Sequence, residues 1–199
     1  PLLPAAAAVG NDVALGGAAP HLVIVSGSNM SGKSTYLRAI GVNVVLAQAG
    51  APVCARTMRL TPLVPAGTLR VQDSLQSGQS RFFAEITKLR QIVDLARAPG
   101  GAGTLFLIDE LLAGTNSHDR QLGAAGVLRG LVDFGAIGLA TTHDLALTAF
   151  AGTLGPRARN MHFVDHFEDG ALRFDYRLRD GVVSTSNALA LMRSIGLDV

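Results

Sequence analysis

Gly27-Ser28-Asn29-Met30-Ser31-Gly32-Lys33-Ser34-Thr35 fits G-x-x-x-x-G-K-[ST] and follows the apolar run Leu22-Val23-Ile24-Val25. A strand, a glycine-bounded loop and a helix, in that order, form the context in which this pattern makes a phosphate cradle. The glycines permit a backbone path that brings successive N–H groups onto one anion at the positive end of a helix. On this reading Lys33 reaches the β- and γ-phosphates and Ser34 offers its hydroxyl to Mg²⁺, while Thr35 and the helix behind it hold the loop rigid. The bland alternative is an ordinary glycine turn before a helix. Against it, Lys33 and Lys88 are the only lysines among 17 basic residues, and one of them stands where the motif needs it.

Composition narrows the class. A chain of 199 residues suits one α/β domain, here residues 1–199. With 48% hydrophobic residues, 16% charged residues and 23 glycines, it reads as a buried sheet joined by many tight turns. The net charge is only +2 and the arginines are scattered, so no polybasic stripe marks a nucleic-acid face. Any grip on DNA is expected mostly outside these residues. Cys54 is the single cysteine, which excludes an internal disulfide and a cysteine-based metal site and fits a reducing compartment; it is expected to be a small core residue. The opening stretch from Pro1 to Ala8 is apolar, but it has no basic residue before it and carries two prolines, unlike a signal peptide. No uninterrupted apolar run approaches the roughly 18 residues of a membrane span. The chain starts without methionine, so a piece of a longer, cytoplasmic protein is expected, nucleoid-associated if bacterial.

Periodicity and turn signals give the order of elements. Residues 1 to 20 read as irregular, with Gly16-Gly17 as a turn before a strand at about 21 to 26. A helix from Lys33 to about Gln48 presents Leu37, Ile40, Val44 and Leu46 to the sheet and stops at Gly50 and Pro52. Between Val53 and Val71 the pattern suggests short strands broken by Pro62, Pro65 and Gly67. After the polar loop Asp73 to Ser80, with Ser80 as N-cap, Phe82, Ile86, Leu89, Val93 and Ala96 recur at helical spacing. Thr104 to Ile108 is a continuous apolar run of the kind a parallel strand buried on both faces requires. A helix from about His118 to Phe134, a strand near Ile137 to Thr141 and a short helix after His143 follow. Alternating strands and helices predict a mostly parallel sheet with helices on both sides. Asp169-Gly170 then predicts a hairpin between Met161–Phe167 and Ala171–Leu178, and a last helix is expected from about Ser186 to Ile195.

Two further motifs carry chemistry. The apolar strand runs straight into Asp109-Glu110, and the chain has only three glutamates. An aspartate there can hold Mg²⁺, and the next carboxylate can polarise an attacking water. The bland alternative for the pair is a solvated strand cap, which the glycine loop upstream disfavours. Thr141-Thr142-His143-Asp144 closes the next strand and puts His143 at the sheet edge where ligands bind in open α/β folds, in position to sense a γ-phosphate. A lone histidine after a strand is more often structural, so its weight comes from the other two motifs. His21, His118, His162 and His166 show no metal-ligand spacing, and Asp165-His166, which could pair with each other, reads rather as a solvated hairpin edge.

Together these motifs resemble the ATPase domain of the MutS family, within the ABC-type class of P-loop ATPases. The glycine loop resembles that family's G-P-N-M-G-G-K-S-T, including its Asn29-Met30. Asp73-Ser74-Leu75-Gln76-Ser77-Gly78-Gln79-Ser80-Arg81-Phe82 resembles D-D-L-x-x-G-x-S-T-F, and Asp109-Glu110 with Gly114-Thr115-Asn116-Ser117-His118-Asp119 resembles D-E-x-G-R-G-T-S-x-x-D. Thr142-His143 matches the family's switch histidine, and Asn11-Asp12-Val13 resembles a segment placed near the adenine. The resemblance implies ATP and Mg²⁺ as cofactors, with Gly27, Ser28, Asn29, Met30, Ser31, Gly32, Lys33, Ser34, Thr35 and Asn11 around the nucleotide. It further implies Ser34 and Asp109 at the metal, and Glu110, His143 and Lys33 in catalysis. Ser80 is then expected to reach the nucleotide of a partner subunit in trans. A homodimer or a paralogous heterodimer closes through the ATP sites, and DNA mismatch repair or related DNA handling is the expected output.

Several departures mark a divergent branch. Ser28 and Ser31 replace proline and glycine, Arg81 stands for threonine, and Leu112-Ala113 stand for Gly-Arg. Ser186-Asn187-Ala188-Leu189 replaces S-Y-G-I, and the helix-turn-helix extension of typical members does not follow by Val199. One alternative keeps the ATPase but attaches it to another module, membrane or nuclease. A P-loop kinase acting on a small molecule would need neither Ser80 nor the carboxylate pair, and a binding module without hydrolysis would not need Glu110.

Overall fold

Leu22–Ser26 forms the strand β1, and all five of its residues are buried. Its alternate side chains serve two separate cores, as a strand covered on both faces must. Leu22 and Ile24 join one hydrophobic cluster, and Val23 and Val25 join the other. The computed structural model describes residues 8–68, 81–98, 103–112, 115–168, 171–183 and 192. Within them the chain runs β1, α1 (Lys33–Gln48), β2 (Val64–Gly67), α2 (Arg81–Arg97), β3 (Thr104–Ile108), α3 (Ser117–Asp133), β4 (Ile137–Thr142), α4 (Leu145–Thr153), β5 (Ala158–Glu168) and β6 (Ala171–Asp180).

The strands form one sheet in the order β2-β3-β4-β1-β5-β6. Every pairing is parallel except the β5–β6 hairpin. Helix α1 packs on one face with Tyr36, Leu37 and Val44, and α2, α3 and α4 cover the other with Leu89, Leu128 and Leu147 among their buried residues. The expected α/β architecture is therefore observed. The turn at Asp169-Gly170, the loop from Asp73 to Ser80 and the expected C-terminal helix lie outside the described residues, apart from Met192.

Backbone approach dictates the sequence at two positions in the sheet. A Cβ at Gly138 would lie 2.0 Å from the carbonyl oxygen of Phe106 on the neighbouring strand, so only glycine lets β3 and β4 close up. Pro65 sits in β2, the edge strand, where the missing N–H costs no interior ladder bond.

Some local expectations need correction. Between 53 and 68 only Val64–Gly67 is a strand, and Pro65 and Gly67 lie inside it rather than breaking it. Cys54 is exposed in the preceding loop, its backbone N–H held by Asn43 Oδ1 at 2.7 Å, and is not a core residue. In α1 Tyr36, not Leu46, completes the inward face. In α2 the buried stripe is Glu85, Leu89, Ile92 and Ala96, with Phe82 and Val93 packed beside it, while Ile86 is exposed. The observed stripe is rotated from the expected one because a glutamate occupies an inward position. Asp165 is buried, and the imidazole of His166 faces the Asp175 carboxylate at 3.8 Å, so that part of the hairpin is not a wholly solvated edge.

Candidate nucleotide-binding and hydrolysis site

Three adjacent strands, β3, β4 and β1, end side by side at one edge of the sheet. Registers Ile108↔Ala140 and Ser26↔Thr142 put the residues after β1, β3 and β4 next to one another. The glycine loop follows β1, Asp109-Glu110 follows β3, and His143 follows β4. Sequence positions up to 116 residues apart, Gly27 to His143, thus share one crevice at the carboxyl ends of the strands.

The loop itself has the geometry its residues predict. Gly27 and Gly32 have φ of 142° and 108°, and a Cβ on Gly27 would meet the carbonyl oxygen of Phe163 at 2.9 Å. Helices α3 and α4 are each capped by a side chain, Asn116 accepting from the N–H of Asp119 and Asp144 from that of Ala146. Helix α1 starts at Gly32 with no side-chain cap, which leaves its positive end for another acceptor. Among the described residues, the hydroxyls of Ser28 and Ser31 in the same loop are buried without hydrogen-bond partners. Buried polar atoms are normally satisfied, so two orphaned hydroxyls beside an uncapped helix fit a missing anionic ligand. Asn29 and Thr35 are exposed, and Met30, at φ 68°, is 82% exposed.

Lys33 is only 5% exposed and folds back along the loop, donating to the carbonyl oxygens of Gly27 at 2.7 Å and Ser28 at 2.8 Å. Burial lowers its pKa below the ordinary lysine value, and the nearby charges of Glu110 and Asp109 oppose that shift. Asp109 Oδ1 accepts from Ser34 Oγ at 2.9 Å and from Thr141 Oγ1 at 2.7 Å. A hydroxyl and a carboxylate oxygen in contact form the hard donor pair that Mg²⁺ prefers, with water and phosphate completing its shell. Among the described residues no cluster of three or more acidic, histidine or cysteine side chains would bind a metal by itself.

Two threonines that the sequence motifs do not single out hold the carboxylate pair. Thr68 Oγ1 accepts from the N–H of Asp109 at 3.1 Å, and Thr141 Oγ1 accepts from the N–H of Glu110 at 2.8 Å. One hydroxyl from each flanking strand end thus fixes the backbone that aims the two acids. Glu110 and Leu112 have positive φ, 51° and 54°, a strain that persists only where neighbours over-determine it. His143 stands exposed at the end of β4 beside the helix cap Asp144. Ser80 lies outside the described residues.

Asn11 is placed by β6. Its amide donates to the carbonyl of Tyr176 at 2.9 Å and accepts from the N–H of Leu178 at 2.7 Å. Between the pairs Phe163↔Leu178 and Asp165↔Phe174 the hairpin slips register, so β6 bulges. Tyr176 sits in that bulge at φ 55°, 47% exposed, with a ring carbon 3.3 Å from where a Cβ on Gly32 would be. Asp175 steadies the bulge by a two-point contact with Arg179, at 2.6 and 3.2 Å, which holds its carboxyl at about 2. An aromatic ring beside the glycine loop was invisible in the motif pattern, because Tyr176 and Gly32 are far apart in the chain and meet only through the hairpin.

The sequence model of MutS domain V matches residues 23–198. A DNA mismatch repair protein MutS 2 of Haloarcula marismortui is 38% identical over 181 residues, covering 89% of this chain and 18% of that protein. MutS proteins of Natronomonas pharaonis and Streptococcus uberis are 34% and 32% identical, over 88% and 87% of the chain and 20% of each relative. The chain spans about a fifth of the length of the curated relatives it matches. A matched model over nearly all of the sheet, with the glycine loop and the carboxylate pair meeting at its edge, leaves one conclusion: the chain belongs to the MutS family and is its ATP-hydrolysing domain V.

Proposed function

We propose that this domain works as a nucleotide-timed clamp motor for a DNA-handling protein of the MutS type, closing as a dimer on ATP and reopening after hydrolysis. The observation that carries the reading is the convergence of Ser34, Asp109 and Glu110 on one uncapped helix end, with Thr141 bonded to both acidic residues. Backbone N–H groups and the hydroxyls of Ser28 and Ser31 would hold the phosphates, and Lys33 would exchange its two carbonyl partners for β- and γ-phosphate oxygens. Ser34 and Asp109 would hold Mg²⁺, which when bound neutralises charge on the phosphates. Glu110 accepts a proton from the attacking water, and His143 stands where the γ-phosphate would be sensed. The exposed face of Tyr176, carried by the bulge that Asn11 clasps, offers a stacking surface for the base.

Ser80, preceding α2, would complete the site of a second subunit, and the partner would be a second copy or a paralogue. ATP then lies between subunits, and its hydrolysis loosens them. The output would be mismatch repair or processing of another DNA structure by regions beyond these residues, in the cytoplasm. The loop after Glu110 favours the second client: Leu112-Ala113 stand where Gly-Arg is typical of the family, and Arg120 of α3 instead braces that loop through the carbonyls of Leu112 and Thr115.

Sedimentation of the Glu110→Gln chain with and without Mg-ATP tests the reading. A monomer that becomes a dimer only with nucleotide, and releases almost no phosphate, supports both the shared site and the role of Glu110. A chain that binds ATP yet stays monomeric refutes the shared site; undiminished phosphate release refutes the role of Glu110.

A further inference from the structure

The buried stripe of α2 contains one residue that hydrophobic burial cannot explain. Glu85 is 5% exposed, lies among Leu89, Ile92 and Ala96 along the inward face, and is one of only three glutamates in the chain. A carboxyl group taken out of water needs specific hydrogen-bond partners. One of them is the backbone: Glu85 Oε1 accepts from the N–H of Leu112 at 2.6 Å. Leu112 is two residues beyond Glu110, and both have positive φ. Arg120 Nε donates to the carbonyl of the same Leu112 at 3.2 Å. The short segment carrying Glu110 is therefore gripped at one end by Thr141 and at the other by Glu85, between elements that are distant in sequence.

The geometry points to Glu85 as a positioning residue for hydrolysis, which fixes the Glu110 carboxylate by holding the strained Leu112 backbone from the first turns of α2. This inference rests on the role given to Glu110 above. Its consequence is mechanical. Helix α2 follows directly on Ser80, the residue proposed to engage the partner's nucleotide, so a shift of α2 on pairing would be felt at Glu110 through one hydrogen bond. A hydrogen bond to a backbone N–H suits that task, because it is short and directional where apolar packing is not.

The test uses the intact protein. Glu85→Met keeps the volume and removes the acceptor; Glu85→Gln keeps an acceptor oxygen and removes the charge. The expected result for Glu85→Met is a fall in kcat on the order of tenfold or more, since small misplacement of a reacting group is costly. Affinity for a ribose-labelled fluorescent ATP stays within about twofold, because Lys33 and the loop are untouched, and Glu85→Gln recovers most of the rate. In the Glu110→Gln background, Glu85→Met lowers the residual rate no further, which a general loss of packing would not reproduce. Should Glu85→Met melt below the assay temperature, Glu85→Asp, one methylene short of Leu112, gives the same comparison. Wild-type turnover by Glu85→Met, or by Glu85→Asp where that variant stands in for it, or an additive loss in the double variant, overturns the inference. Normal turnover by Glu110→Gln alone would instead overturn the proposed role of Glu110, on which this one stands.

Discussion

Replacing Thr141 by valine and by serine separates the two things this residue does. Its side chain is fully buried, and its hydroxyl donates to Asp109 at 2.7 Å while accepting from the N–H of Glu110 at 2.8 Å. Thr141→Val keeps the shape and deletes both bonds. A hydrogen bond to a charged group contributes about 1.5–3 kcal/mol, and a stranded buried N–H costs about 1–3 kcal/mol. Because Glu110 is only half-buried, water can recover part of the second term, so the lower half of that range applies and Thr141→Val should destabilise by about 2.5–5 kcal/mol. Thr141→Ser keeps both bonds and loses one buried methyl, about 1 kcal/mol with its small cavity. The order is the discriminating point, since a purely hydrophobic role for Thr141 predicts the reverse. Urea denaturation gives the stabilities, and phosphate release gives kcat, which should fall far more in valine than in serine. A valine variant at least as stable and as active as the serine variant would refute the bracing of the carboxylate pair by Thr141.

Two other expectations follow from the same geometry. Lys33 must be charged to hold phosphate, and its pKa is lowered by burial but held up by Glu110 and Asp109. ATP affinity should therefore fall as pH rises through that pKa, and Glu110→Gln, by removing one supporting charge, should move this alkaline limb to lower pH in a fluorescence titration. An unmoved limb would mean that Lys33 does not feel Glu110. Tyr176→Ala should weaken ATP binding by about 1–3 kcal/mol if the ring stacks on the base, while Tyr176→Phe should change little; equal affinities for GTP and ATP losses in a calorimetric titration would fit a ring that stacks without reading base edges.

Much of this was legible because buried parallel strands leave a plain record. Leu22-Val23-Ile24-Val25 and Thr104 to Ile108 are apolar without alternation, which is what coverage on both faces demands, and each leads into a motif that contains a residue type rare in the chain, Lys33 in one and Glu110 in the other. The bracing hydroxyls were not legible. Thr68 and Thr141 look like ordinary strand residues, and their function arises from register with β3, which no local pattern encodes. Asn11 and Tyr176 meet across 165 positions, by way of a bulge in the hairpin. The α2 stripe misled for a physical reason: the expected spacing took Ile86 as inward because it is apolar, whereas the fold places Glu85 there to bond Leu112. A rule that sorts by hydrophobicity fails where a buried polar side chain has a task.

The strand order β2-β3-β4-β1-β5-β6 also governs how the domain comes into being. Strand β1 precedes every other strand of the sheet, yet its two neighbours begin at Ile137 and Ala158, so both of its edges wait for more than a hundred further residues. At roughly 5–20 residues per second of synthesis, that wait lasts on the order of ten seconds. During it an apolar segment with two open edges must be kept from pairing with other chains. The glycine loop cannot take up its cradle until β4 and β5 arrive to hold β1. Within this domain, the part that grips nucleotide is thus synthesised before the strands that give it its shape.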